Sequence, residues 1–295
     1  MRPKFRKPVV LKRPTPSAVY RFEGTVAMGG GKPPQQVSGG GVPNPVEFAR
    51  RTLHFYPDRT QERILLSQSK DLILNCCRQW GKSTMAAILA AHEMLYGRDQ
   101  AMVVVIAPCK DQSNETVEKI RNFLIEAGKE VRGDGMHSNS IRLDNGSRCL
   151  ALPGTDDSTR GYSAATMLIV DEAARVSDAI YGAVHPCLGT TNGRTILLST
   201  PNGRQGFFYE AWTDGSDWDR ISIPVEECPR ISQEFIEKER RRMDDGYFRQ
   251  EFQCEFHASD QQYFSPKEIS GCLVDEWDGW IPQVFREKPG ALPPR

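Results

Sequence analysis

Long apolar runs are missing from this 295-residue chain. None approaches the roughly 20 residues that a membrane-spanning helix needs, so no helical crossing is expected. A surplus of either charge is missing too, with 38 basic residues facing 38 acidic ones. Any contact with a polyanion therefore has to come from a local patch. The eight cysteines (Cys76, Cys77, Cys109, Cys149, Cys187, Cys228, Cys254 and Cys272) are scattered, and no C-x-x-C pair occurs. That argues against zinc and against a disulfide framework, and for reduced thiols in a cytosolic protein. The amino terminus is basic but lacks the apolar segment of a secretory signal.

What is present begins with size: 295 residues suit one large domain, or a domain with a small appendage. Residues 1–45 carry prolines, the triplets Gly29-Gly30-Gly31 and Gly39-Gly40-Gly41, and the basic residues Arg2, Lys4, Arg6, Lys7, Lys12 and Arg13. Such a stretch buries too little apolar surface to order itself and reads as a flexible tail, either simply solvated or touching DNA phosphates.

The chemistry centres on Cys76-Cys77-Arg78-Gln79-Trp80-Gly81-Lys82-Ser83-Thr84. An apolar run, Leu72-Ile73-Leu74, precedes it, and a helix-forming run, Met85 to Ala91, follows. Strand, tight loop and helix form the context of a phosphate-binding loop, in which main-chain N–H groups and the helix N-terminus converge on an anion. Lys82 is placed to meet β/γ oxygens and Ser83 to hold Mg²⁺. One departure stands out: Cys76 occupies the position of the first glycine in G-x-x-x-x-G-K-[ST]. Upstream, Gln61 falls in a helical stretch and can pair with the N6/N7 edge of adenine, while Tyr56 can stack on the base. The plain alternative for Gln61 is a solvated surface amide.

Further along, Ala101–Ala107 is almost wholly apolar and reads as a strand buried on both faces of a parallel sheet. An amphipathic helix is expected over Gln112–Ile125, with Val117, Ile120, Phe123 and Leu124 on one side. A hairpin is expected around Asp144-Asn145-Gly146, between Ile141–Leu143 and Cys149–Leu152. The alternation of strand and helix gives an α/β fold with a mainly parallel sheet.

Met167-Leu168-Ile169-Val170 ends in Asp171-Glu172. At the carboxyl end of a parallel strand, Asp171 is expected behind Mg²⁺ and Glu172 beside the attacking water, as catalytic base. Arg160, in Ser158-Thr159-Arg160-Gly161-Tyr162, is either an arginine finger, in cis or in trans, or a surface arginine; Arg78 is the rival finger. Thr195 to Gly203 forms another strand that ends in hydroxyls, where Ser199 and Thr200 either sense the γ-phosphate or mark an ordinary strand-to-turn junction.

Taken together, Gln61, Arg78–Thr84, Arg160-Gly161, Leu168–Ala173, Leu198–Gly203 and the later Tyr247–Phe256 resemble, in order, the ATPase part of the large terminase subunit of tailed bacteriophages. The resemblance runs over about residues 50–265, and its phosphate loop often lacks the first glycine. It implies a RecA-like additional-strand P-loop ATPase core over 46–202, a small lid subdomain over 203–257, and a C-terminal tail over 258–295. It further implies ATP and Mg²⁺ as ligands, and ATP-driven threading of double-stranded DNA into a procapsid through the portal protein. The implied assembly is a homo-oligomeric ring with a small terminase subunit as partner, in the host cytoplasm and away from membranes. In that reading Ser199 and Thr200 couple hydrolysis to movement.

The family usually continues into an RNase H-like nuclease. Here Asp275, Glu276 and Asp278 lie beside Trp277 and Trp280 in a short segment after Phe264, so no nuclease activity is expected of this chain. The alternatives are a helicase-type or other non-packaging DNA translocase, an ATP-binding assembly protein without turnover, and the inert product of a broken gene.

Overall fold

The computed structural model describes residues 41–135, 139–153, 162–214 and 217–257. Residues 1–40 lie outside this set, and with them most of the expected tail; Pro45, assigned to that tail from sequence, is instead the first residue of a helix. Two helices come first, α1 (Pro45–Arg51) and α2 (Arg59–Leu66). Each opens with a reciprocal capping box, Asn44 with Glu47 and Asp58 with Gln61, which satisfies main-chain donors that a helix start leaves orphaned. Then follow β1 (Asp71–Cys76), α3 (Lys82–Tyr96), β2 (Met102–Ala107), α4 (Lys110–Glu126), β3 (Ser140–Arg142), β4 (Arg148–Pro153) and β5 (Met167–Asp171). The chain continues through α5 (Asp178–Val184), β6 (Arg194–Ser199), α6 (Gly206–Thr213), β7 (Asp219–Ile223), α7 (Gln233–Arg242) and α8 (Asp245–Gln253).

The seven strands form one sheet in the order β3-β4-β2-β5-β6-β1-β7, and every pairing is parallel except β3 with β4. The expected hairpin is that antiparallel pair, Ile141 facing Cys149. β6 lies between β1 and β5, which is the additional strand of the expected fold class.

Both faces of the sheet are covered, which is why its central strands read as unbroken apolar runs. Alternate residues of one strand therefore serve two cores. Leu72, Leu74, Val103, Val105, Ile169, Ile196 and Leu198 pack with α3 and α4 through Ile88, Val117 and Ile120. Ile73, Val104, Ile106, Leu168, Val170 and Leu197 pack on the other side with Val184, Phe207 and Phe208. The span 203–257, expected from the resemblance as a small lid subdomain, contributes to the sheet and to the first core. Its strand β7 pairs in parallel with β1, from Leu72 facing Asp219 to Cys76 facing Ile223. Ile236, Phe248 and Phe252 of α7 and α8 join the first core.

Candidate active site

β1 runs out at Cys76, and the loop to α3 is shaped by two residues with positive φ, Gln79 (59°) and Gly81 (100°). Gly81 caps α3 in the left-handed region, a conformation glycine adopts without the cost a Cβ imposes. The loop's amides divide into two sets. Cys77 N–H donates to the Ile223 carbonyl (2.9 Å) and Arg78 N–H to the Glu251 carbonyl (3.0 Å), so both are committed within the protein. Those of Gln79, Trp80, Gly81, Lys82 and Ser83 have no partner among the described residues. Consecutive unpartnered N–H groups at the positive end of a 15-residue helix form an anion site.

Not every side chain expected at this loop faces that site. Cys76 and Cys77 are fully buried. Burial pushes both thiols up, Cys77 to about 12, and leaves them uncharged packing groups at neutral pH. Trp80 is buried as well: Arg230 lies over its ring, 5.7 Å from the centroid, and donates to its carbonyl at 2.8 Å. Arg78, by contrast, is more than half exposed, with Nε 3.7 Å from Glu251 Oε2. Thr84 sits in the first turn of α3, where its N–H bonds the Gly81 carbonyl. Gln61 is buried, and its Oε1 accepts the Asp58 N–H at 3.0 Å. Asp58 in turn pairs with Arg230 at 2.6 Å, so the cap of α2 is tied to the loop through one guanidinium. Tyr56 is 76% exposed.

The acidic pair lies across one intervening strand. Two strand spacings separate β1 from β5, about 10 Å, and the long Lys82 side chain bridges them: its Nζ sits 3.0 Å from Glu172 Oε1. Burial alone would lower the Lys82 pKa, but Glu172 and then Asp171 outweigh it and raise it, so the ammonium persists. Asp171 is also buried. Burial raises its pKa, opposed by hydrogen bonds from the Ser83 and Thr116 hydroxyls, the latter at 2.8 Å. Glu172 is left-handed at φ 51°, ψ 45°. A non-glycine residue held there costs on the order of 1–3 kcal/mol, and such strain clusters at sites of chemistry. A cavity of about 100 Å³ opens beside these groups, lined by Ser83, Asp171, Glu172, Gln112, Thr116 and Lys119 among others. The hydroxyl of Ser83 and the carboxylate of Asp171 are hard oxygen donors already in contact with each other, and they fit Mg²⁺.

β6 ends between the two halves. Ser199 Oγ reaches Glu172 Oε2 at 3.4 Å, and Thr200 Oγ1 lies 3.3 Å from both carboxylate oxygens of Glu251. Two residues not singled out from sequence complete the cluster. Arg175 Nη1 is 3.1 Å from Glu172 Oε2 and 3.0 Å from Thr200 Oγ1, while its Nη2 is 2.6 Å from Glu251 Oε1. Arg175 follows Glu172 by three residues, and Glu251 sits inside the Tyr247–Phe256 stretch; only folding shows that they meet. Arg160 lies outside the described residues, as do Asp275, Glu276 and Asp278.

Comparison with known proteins agrees with this architecture. The family model described as terminase large subunit, T4likevirus-type, N-terminal, matches residues 73–270. A terminase large subunit of Escherichia phage T5 is 31% identical over 195 residues, 63% of this chain and 44% of that protein. The chain spans about half the length of the curated relatives it matches. Among solved structures, the large terminase ATPase domain of Thermus phage P74-26 shares the fold, with TM-score 0.64 and 23% identity over 72% of this chain and 99% of that one. The large terminase of another thermophilic bacteriophage, in complex with ADP, aligns with TM-score 0.57 and 11% identity, over 68% of this chain and 54% of that one. With two thirds of its residues inside the family match, the chain belongs to the T4likevirus-type terminase large subunit family, over that subunit's N-terminal part.

Proposed function

We propose that this chain hydrolyses ATP with Mg²⁺ and serves as the motor ATPase of a phage terminase, driving double-stranded DNA into the procapsid through the portal. The observation that carries the reading is the meeting of Lys82 and Glu172 at 3.0 Å beside five unpartnered amides. A triphosphate seated on those amides draws Lys82 to its β/γ oxygens, exchanging one carboxylate for a denser negative charge. Glu172 Oε1 is then free to accept a hydrogen bond from water and orient it towards the γ-phosphorus. Mg²⁺, when bound by Ser83 and through Asp171, neutralises phosphate charge.

In the same reading Gln61 and Tyr56 meet the adenine, and either Arg160 or Arg78 acts as the finger. Ser199 and Thr200 pass the state of the γ-phosphate onward. A solved large terminase of similar fold is in complex with ADP, which supports nucleotide binding by this chain. A ring of copies on the portal in the host cytoplasm, loaded by a small subunit, is the assembly this function needs.

ATP turnover and binding of the slowly hydrolysed analogue ATPγS test the reading. Lys82→Ala is expected to lose both, and Glu172→Gln to keep binding while losing turnover by at least 10²-fold, the scale of a general base. Undiminished turnover in either variant refutes the assignment. Tight binding with no turnover by the native chain favours an ATP-binding assembly protein instead.

A further inference from the structure

We propose that Arg175 is a positioning residue for Glu172 and that Glu251, on α8, sets where the Arg175 guanidinium points; the proposal rests on the ATP-hydrolysis reading above. Each oxygen of Glu172 has its own cation, Lys82 Nζ on Oε1 and Arg175 Nη1 on Oε2. The two cations fare differently when a triphosphate arrives. Lys82 belongs to the phosphate loop and leaves for the phosphates, whereas Arg175 belongs to the turn Ala173–Arg175 and stays. Glu172 is then held by Oε2 alone, and the direction of its free oxygen follows Arg175.

What fixes Arg175 is Glu251. This carboxylate is 2% exposed and comes from a helix 76 residues further along the chain. A carboxylate that deep persists only with cations and donors around it. It has Arg175 Nη2 at 2.6 Å, the Thr200 hydroxyl at 3.3 Å and Arg78 Nε at 3.7 Å. The fork of one guanidinium spans two carboxylates through two separate nitrogens, which a single lysine ammonium does not reproduce. One buried acid thereby touches the phosphate loop, the residue that orients the catalytic base, and the end of β6.

The test uses the full chain and the variants Arg175→Gln, Arg175→Lys, Glu251→Gln and the double glutamine variant. With Glu172 misaimed, kcat is expected to fall about 10–100-fold, with KM for ATP and ATPγS affinity unchanged. Arg175→Lys is expected not to rescue, and the double variant to be no worse than either single one, since both break one unit. Thermal melts show that each variant is folded. Native kcat in Arg175→Gln, losses that multiply in the double variant, or a rise in KM that accounts for the loss would overturn the proposal. Hydrogen exchange of residues 245–253 gives a readout that needs no turnover. Without nucleotide it is expected to be faster in Arg175→Gln than in the native chain, because α8 then loses the guanidinium that holds Glu251, and equal exchange in both sinks the idea. Lys82→Ala separates the two levels of argument. Turnover surviving that change refutes the nucleotide site itself, whereas turnover lost there but kept in Arg175→Gln refutes only the positioning role.

Discussion

The Lys82 ammonium is buried, and its partner Glu172 is a quarter exposed. Removing the partner's charge leaves the ammonium without its nearest counter-ion, a loss of up to about 3 kcal/mol by comparison with other broken buried pairs. Glu172→Gln is therefore expected to melt at a lower temperature than the native chain when no nucleotide is present. Mg²⁺ with ATPγS is expected to recover most of the difference, because the triphosphate replaces the missing carboxylate. An unchanged melting temperature in the apo variant would show that the pair contributes nothing to stability. At this scale the sequence was informative about residue type and less so about direction. Lys82, Ser83, Asp171 and Glu172 come together as the motif spacing implied. Cys76, Cys77 and Trp80, drawn into the expected nucleotide loop by the same motif, turn into the core, since a motif records backbone shape and says little about where small or aromatic side chains go.

Among the elements, α2 and the phosphate loop are joined by a single carboxylate. Asp58 accepts the Gln61 N–H at 2.9 Å, closing the cap of α2, and also binds Arg230, which holds the Trp80 carbonyl. Two substitutions separate these duties. Asp58→Ala is expected to cost about 1 kcal/mol of stability, as lost N-caps do, and to weaken ATPγS binding. Asp58→Asn keeps the cap and gives up the charge, so chemical denaturation is expected to find it near native while its nucleotide affinity still falls. Native affinity in Asp58→Asn would mean that Arg230 does not need Asp58. The strands and helices themselves were largely legible, because runs such as Ala101–Ala107 can be little else than doubly buried strands. β7 was not: Asp219–Ile223 is short and half polar, and it finds its place only through pairing with β1. Arg175 and Glu251 were invisible for a related reason, since their meeting depends on α8 returning to the sheet long after the motifs have passed.

For the molecule as a whole, buried thiols set an alkaline limit. Burial raises Cys76, Cys77, Cys149 and Cys254, with Cys77 and Cys149 each pushed up to about 12. An exposed thiol in the unfolded chain titrates near about 8.5. Between those values the unfolded chain has released protons that the folded chain keeps, so stability is intact below the lower value and drains away as pH rises towards the upper one. Cys149 alone contributes about 1.4 kcal/mol of that loss per pH unit. Denaturant midpoints are expected to fall steeply above pH ~9, and Cys149→Ala to flatten the fall; identical slopes would remove Cys149 from the explanation. Alkylation follows the same division. Among the described cysteines only Cys109 is exposed, so the native fold is expected to leave the other six unlabelled at a pH where the denatured chain reacts fully.

Glu251 also bears on how this protein can be recombined with its relatives. A graft that exchanges the polypeptide after β7 brings in a foreign α8 and severs a bond set that Arg78, Thr200 and Arg175 share from the other side of the splice. Crossovers placed there demand matched donors at three positions upstream, so functional hybrids are expected to inherit that quartet as a block or to lose it together.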